Sequence, residues 1–395
     1  MAVAGAGIAG KRESSILARR LQHSDRSGWA SGDSDEGPAI APVPPFFWRL
    51  SPREENVRSA LLLKGRVARR PAVAWRALVL RYQHPDPRRA LWQIGNTFLP
   101  YIALWYLMFR SLEISYWLTL GLAVVGAGFL LRVFIMCHDC GHRSFFKSRR
   151  ANDLLGFVCG LLTFTPYHYW RHQHDIHHAT AGNLDRRGVG DIWTMTVREY
   201  QESSRWRRLH FRLYRNPFIL FLVGPLFVFL VKHRFANPGA GWRWHRSVLW
   251  SNLGMLALAA VVTAMIGPKA YLLIQLPVIS IAAVAGVWLF YVQHQFDGVY
   301  WERQAEWDYF TTAMRGSSFY KLPRLLQWFS GNIGFHHIHH LSPRIPNYFL
   351  EKCHRENPPF QAVKALHLWG SLKTIRYRLW DEERQKLVGV SAAWW

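Results

Sequence analysis

Acidic side chains are scarce in this chain: 25 aspartates and glutamates stand against 49 lysines and arginines, a formal net charge of +24 over 395 residues. That imbalance leaves three kinds of partner, namely nucleic acid, an anionic lipid surface or an acidic protein. Cysteine is scarcer still. Cys137, Cys140, Cys159 and Cys353 are the only four, which argues against a disulfide framework. Cys137 and Cys140 make a single C-x-x-C around His138, and no second one exists to complete a structural zinc site. Both are read as packing cysteines at a helix end. The first 46 residues contain no apolar core of the kind a secretory signal needs, and Asp25, Asp33, Asp35 and Glu36 are out of place in an acid-poor transit peptide. Rich in Gly, Ser, Ala and Pro without apolar periodicity, residues 1–46 are expected to be disordered.

The mean hydropathy of −0.06 averages two kinds of sequence. Uncharged runs at 91–109, 114–131, 247–266 and 270–292 alternate with Arg-rich stretches. At 1.5 Å per residue each run reaches roughly 27–35 Å, about the thickness of a bilayer's hydrocarbon core. Only 110–113 separates the first two, and Gly267-Pro268-Lys269 separates the last two, so they form two hairpins. The apolar segments 154–167 and 217–231 are short and interrupted by Pro166 and by Gly224-Pro225, which suits interfacial segments better than spans. The basic stretch 47–90 reads as an interfacial amphipathic segment. Twenty tryptophans and fifteen tyrosines fit a large membrane–water boundary. The basic residues flank apolar spans and form no aromatic-interleaved groove motif, so nucleic acid is set aside as a partner. Four spans place both termini on one side. A fifth span at 217–231 would export the basic loop 232–246, against the tendency of Lys and Arg to remain cytoplasmic.

Three histidine clusters fall beyond the ends of these runs: His138-Asp-Cys-Gly-His142, His174-Asp-Ile-His177-His178 and His336-His-Ile-His339-His340. Spacings of i, i+3 and i+4 put the rings on one helix face, close enough to share a metal. In the four-span topology all three clusters lie on the same side as His294, at the exit of the last run. Neutral imidazoles bind iron, zinc and copper, and spacing alone leaves the three open. Eight clustered histidines overfill one zinc site, whereas two metals with four or five nitrogens each use the whole set. His294 is read as a ninth ligand. His172 and His337 are off the pattern and stay outside it, and His168, His210, His233, His245 and His354 are read as surface or interfacial. A ligand histidine usually gives its free N–H to a carboxylate or carbonyl. Asp139, Asp175, Asp185, Asp191 and Asp297 are candidates for that role, with Asp139 and Asp175 expected to orient a neighbouring ring rather than the one they follow. Asn332 is a candidate for holding a metal-bound water.

At these residues the sequence resembles the membrane fatty acid desaturases, in particular the acyl-lipid omega-6 (delta-12) type of bacteria and plastids. That family carries H-x-x-x-H, H-x-x-H-H and H-x-x-H-H boxes in this order. Here the first extends through Arg143-Ser-Phe-Phe146, the second follows Trp170-Arg171, and the third runs into Leu341-Ser-Pro-Arg-Ile-Pro-Asn347. The likeness covers roughly residues 90–360. It implies an all-α integral membrane fold, with four transmembrane helices in two hairpins and a cytoplasmic helical cap holding two irons. The implied ligands are His138, His142, His174, His177, His178, His336, His339 and His340, with His294. Phe290, four residues before His294, stands where stearoyl-CoA-type desaturases carry an asparagine. On this reading the domain occupies 91–360 and a cytoplasmic tail follows at 361–395.

The activity implied is O2-dependent insertion of a cis double bond into an acyl chain carried by a glycerolipid or a thioester. The chain has no His-Pro-Gly-Gly of a fused cytochrome b5, so a separate electron donor is implied, an acidic ferredoxin that would suit the basic face. A bacterial inner membrane, with the active site on the cytoplasmic side, is the expected location. A membrane hydroxylase or ketolase would use the same histidines. A haem carrier would need single axial histidines facing each other within the spans, and a purely structural membrane protein would leave the clusters unexplained.

Overall fold

The computed structural model describes residues 71–391; the expected disordered segment 1–46 and most of the basic segment 47–90 lie outside them. We number ten helices: α1 Pro71–Leu80, α2 Pro87–Ser111, α3 Tyr116–Gly141, α4 Arg149–Leu162, α5 Tyr167–Thr180, α6 Arg205–Tyr214, α7 Trp242–Ile266, α8 Pro268–His294, α9 His336–Leu341 and α10 Asn347–Glu356.

Local sequence explains where the long helices start and stop. The Asp86 side chain accepts the backbone N–H groups of Arg88 and Arg89, and Pro87 occupies the first turn of α2, where its missing N–H does no harm. At the tip of the first hairpin Ser111 and Thr119 share a buried 2.7 Å hydrogen bond. Gly267 adopts φ +82° between α7 and α8, a conformation that favours glycine, and its N–H closes on Thr263. Pro268 then opens α8.

Helices α3 and α8 run 26 and 27 residues, about 40 Å each. A hydrocarbon core of roughly 30 Å would leave one or two turns protruding, which would put His138 and His294 at the ends of these candidate spans. Together with α7 these are, among the described residues, the helices long and apolar enough to cross a membrane. They expose Trp117, Leu256 and Met265, a surface that suits hydrocarbon and not water. The expected first span falls in α2, which has the length at 25 residues but is less apolar, with Gln93, Asn96 and Thr97 along it. The segment Ile219–Arg234 meets α6 at 59°, and the pair passes the same test only when taken together; Pro217 lies at the break.

Helix α3 is the central element, packed by α2, α4 and α8. Its Arg132 is buried and donates to Thr97 at 3.1 Å and to the Trp328 carbonyl, with its guanidinium 4.0 Å from the Trp328 ring centroid. This ties the short helix Arg324–Phe329 to the spans. Beyond the spans lies a cap built from α5, α9, α10 and shorter pieces. Helix α1 joins it: Val79 and Tyr82 are buried, Trp75 stacks on Phe310, and Tyr82 donates to Glu356 at 2.7 Å.

The expected all-α class needs one correction, because two small sheets occur among the described residues. Phe319–Lys321 (β2) pairs in parallel with Ala365–His367 (β3), and Leu379–Asp381 (β4) lies between Met195–Thr196 (β1) and Lys386–Val388 (β5). Strands this short carry no readable period-2 pattern. They fold residues 365–388 back onto the cap, where Arg303 clamps Glu382 at 2.7 Å.

Candidate metal centre

Each histidine cluster occupies one helix end or one short helix, as its spacing predicts. His138 lies in the last turn of α3 and His142 just after it; α5 carries His174, His177 and His178; α9 carries His336, His339 and His340; His294 ends α8. Chain segments that are remote in sequence bring all nine together in two groups. The ligand atoms of His138, His142, His174, His178 and His339 lie within 4.8 Å of one another, as do those of His177, His294 and His340. His336 joins the second group through its Nε2, 2.9 Å from His294 Nε2. The groups abut where His178 stacks on His340, with ring centroids 4.2 Å apart.

The rings fit metal ions by their own hydrogen bonding. A carboxylate only accepts, so His177 Nδ1, 2.8 Å from Asp191 Oδ1, donates to it, and in the neutral ring Nε2 is then the lone pair. His294 Nδ1 faces the Gly316 carbonyl at 3.4 Å, which again leaves Nε2 bare. Those two Nε2 atoms lie 3.2 Å apart. Two ring nitrogens this close are satisfied by a shared proton or by a metal ion lying against both. His178 Nε2 likewise approaches both His174 Nε2 and His339 Nε2, at 3.1 and 3.0 Å. Burial pushes the His142, His174, His178, His336, His339 and His340 imidazoles well below the usual histidine range, and neighbouring rings add to the shift. These six are therefore neutral at pH 7, the form that donates to a metal.

Two carboxylates orient one ring in each group. Asp191 holds His177, and its other oxygen accepts Gly188 N–H at 3.1 Å. Gly190, at φ +73°, lets this loop close: a Cβ there would come 3.0 Å from His177 Cβ. Asp139 takes His138 Nδ1 at 3.1 Å. It thus bonds the ring it follows, in the last turn of α3, and not a neighbouring one as the helix geometry suggested.

The remaining candidates lie elsewhere. Asp175 is exposed, 3.9 Å from Arg171. Asp185 pairs with Arg303 at 2.7 Å and Asp297 with Lys364 at 3.3 Å, both at the surface. Asn332 bonds Gln327 and the Asn347 carbonyl. Asp175, Asp185 and Asp297 thus face basic side chains and not the histidines near them in sequence, which spacing along a single sequence does not resolve. His172 stacks on Trp244, and His337 faces the Phe360 carbonyl. His354 is half-buried against Phe319 and Phe335, deeper than a surface reading implies. Cys137 and Cys140 are buried, and Cys137 donates to the Gly156 carbonyl. Phe290 packs on His177 and His294 with centroids 5.3 and 5.2 Å away, an apolar wall where a water-holding asparagine would be polar. Asn347, which donates twice to Asp139, was not singled out as a site residue from sequence; its place at the end of the third-box extension was the available signal.

Comparison with known proteins agrees with this arrangement. Residues 114–371 match the family described as fatty acid desaturase. The chain is 49% identical to a protein named fatty acid desaturase from Bacillus subtilis, over 80% of this chain and 89% of that protein. It is 28% identical to the sn-1 oleoyl-lipid 12-desaturase of Synechocystis, over 73% of this chain and 82% of that one. A third relative, at 30% identity over 63% of this chain and 69% of its own length, is the sn-1 acyl-lipid omega-3 desaturase (ferredoxin) of Nostoc. With two histidine groups at the ends of apolar helices and this breadth of similarity, the chain belongs to the fatty acid desaturase family.

Proposed function

We propose that this protein is an acyl-lipid desaturase: an O2-dependent membrane oxidoreductase that inserts a cis double bond into an acyl chain, using two irons and a separate reduced carrier of the ferredoxin type. The observation that carries the reading is the convergence of nine histidines into groups of five and four. Nitrogen-rich sites of this kind suit first-row metals, and two such sites without cysteine suit iron. Iron held by these histidines would let O2, with two electrons from the carrier and two protons, act as the oxidant for two adjacent methylenes, the two hydrogens leaving as water. The chain's own groups do the rest. Asp139 and Asp191 fix the tautomers of His138 and His177, and Phe290 keeps one side of the centre dry.

An apolar cavity of about 410 Å3 lies between α3 and α8, lined among others by Gly128, Leu131, Ala285, Trp288, Leu289 and Phe329. Leu131 is seven residues before His138 and Leu289 five before His294, about 10 and 8 Å along their helices. A saturated chain lying there has one end near the histidines and finds no polar group to desolvate. We place α2, α3, α7 and α8 as four spans, with the histidines on the cytoplasmic side of a bacterial inner membrane, where the Arg-rich surface meets an acidic donor. The motif resemblance supports delta-12 as the bond position. The Bacillus relative, more similar in sequence, is named without a position, so the product map fixes it.

The test is the fatty-acid profile of a bacterium expressing this chain with a ferredoxin, with bond positions mapped by mass spectrometry and His177→Ala as the control. New double bonds at delta-12 that vanish in the control support the reading in full. Bonds at another position correct the regiochemistry alone. Hydroxylated chains would replace the desaturase with a hydroxylase. Purified protein without about two irons per chain would overturn the di-iron centre.

A further inference from the structure

The third histidine box reaches back to the first through a buried contact outside the ligands themselves. Asp139 is 1% exposed, and among the described residues its ion-pair partner is a histidine, not a lysine or arginine. An ionised carboxylate that deep needs hydrogen bonds on both oxygens. Its Oδ1 takes His138 Nδ1. Its Oδ2 takes two donors from one residue, the Asn347 backbone N–H at 2.6 Å and the Asn347 Nδ2 at 2.8 Å.

The local sequence explains why Asn347 is free to do this. It is the first residue of α10, and the residue before it, Pro346, is extended and has no side chain able to cap the helix. The start of α10 therefore has orphan N–H groups. Asp139 supplies the missing acceptor from another helix, and the positive end of α10 in turn favours its charge. From the other side the Asn347 carbonyl accepts Asn332 Nδ2 at 3.2 Å, so the clamp is held in place. Only six residues, 341–346, separate His340 from Asn347. The same short stretch of chain thus supplies ligands to both groups and holds the orienting carboxylate of the first.

We propose that Asn347 is a positioning residue for the metal centre, acting through Asp139 to fix the orientation of the His138 ring. Its two bonds keep Asp139 from rotating, which keeps the proton on His138 Nδ1 and the Nε2 lone pair aimed into the five-histidine group. The proposal rests on the reading of those histidines as metal ligands.

The experiment is metal binding by the purified full-length protein, read as the rate of iron loss to a chelator and as the absorption spectrum after loading with Co2+. Asn347→Ala retains the backbone N–H through which Asp139 caps α10 but removes the side-chain donor. We expect metal affinity about 10- to 100-fold weaker and a shifted Co2+ spectrum, with the melting temperature of the metal-free protein little changed. Asp139→Asn should weaken binding likewise, and adding Asn347→Ala to it should cost little more, since both act on one ring. If Asn347→Ala does not fold, Asn347→Ser replaces it in the same cycle. Wild-type affinity and spectrum in Asn347→Ala, or full additivity with Asp139→Asn, would overturn the proposal. A wild-type protein that binds neither iron nor Co2+ would overturn the metal-site reading itself and the proposal with it.

Discussion

The Nε2 atoms of His177 and His294 face each other at 3.2 Å, although both rings direct Nδ1 to an acceptor elsewhere. The pair comes from α5 and α8, 117 residues apart, and apolar packing of the spans and cap forces it together. Folding thus holds two ring nitrogens in a contact that a shared proton or a bound metal ion makes favourable.

Metal removal should therefore destabilise the protein. Binding to the folded state alone adds about 4 kcal/mol at a thousand-fold excess over Kd. Melting in detergent with and without a chelator should show a clear fall in Tm on chelation, restored by Fe2+. An unchanged Tm would mean that the rings need no cation.

The metal-free protein should lose stability as pH falls. Burial holds the His174, His178, His336, His339 and His340 imidazoles well below the usual histidine range, while unfolded histidines titrate near 6.5. The unfolded state then binds more protons in acid, so stability is full above about pH 7 and declines as pH drops through 6.5. Denaturant unfolding of metal-free protein between pH 8 and 5 measures it. A flat profile would contradict the neutral, buried histidine cluster.

Gly190→Ala should loosen Asp191. The position has φ +73° and its Cβ would meet His177 Cβ at 3.0 Å, so the loop must shift, at a cost of roughly 1–3 kcal/mol. Iron content per chain should fall with it, and more than for Gly188→Ala, where a Cβ meets open space. Equal effects at the two positions would indicate backbone strain alone.

Gly128→Val should shorten the chains accepted. A Cβ at Gly128 comes 2.9 Å from the Phe329 ring, on the wall of the apolar cavity, and the branched side chain fills space an acyl tail would use. Lipid analysis should show longer substrates lost in favour of shorter ones, with iron content unchanged. An unaltered chain-length profile would remove this cavity from the substrate path.

Much of this protein was legible in the order of its residues. Helix length and polarity are local properties, so the hairpin around Gly267-Pro268 and the placement of the histidine clusters at or beyond the ends of the apolar runs follow from spacing alone. The i, i+3, i+4 pattern of His174, His177 and His178 specifies a shared face whatever that helix packs against. Partners from separate elements are a different matter. Which carboxylate reaches which ring depends on how loops cross the cap: Asp175 follows His174 directly yet points to Arg171, while Asp191 folds back to His177. Strands of two or three residues, such as β1 beside β4, exist only because distant segments meet. The division of nine histidines into five and four, and the clamp of Asn347 on Asp139, were likewise decided by tertiary packing, since each joins groups that no local periodicity relates.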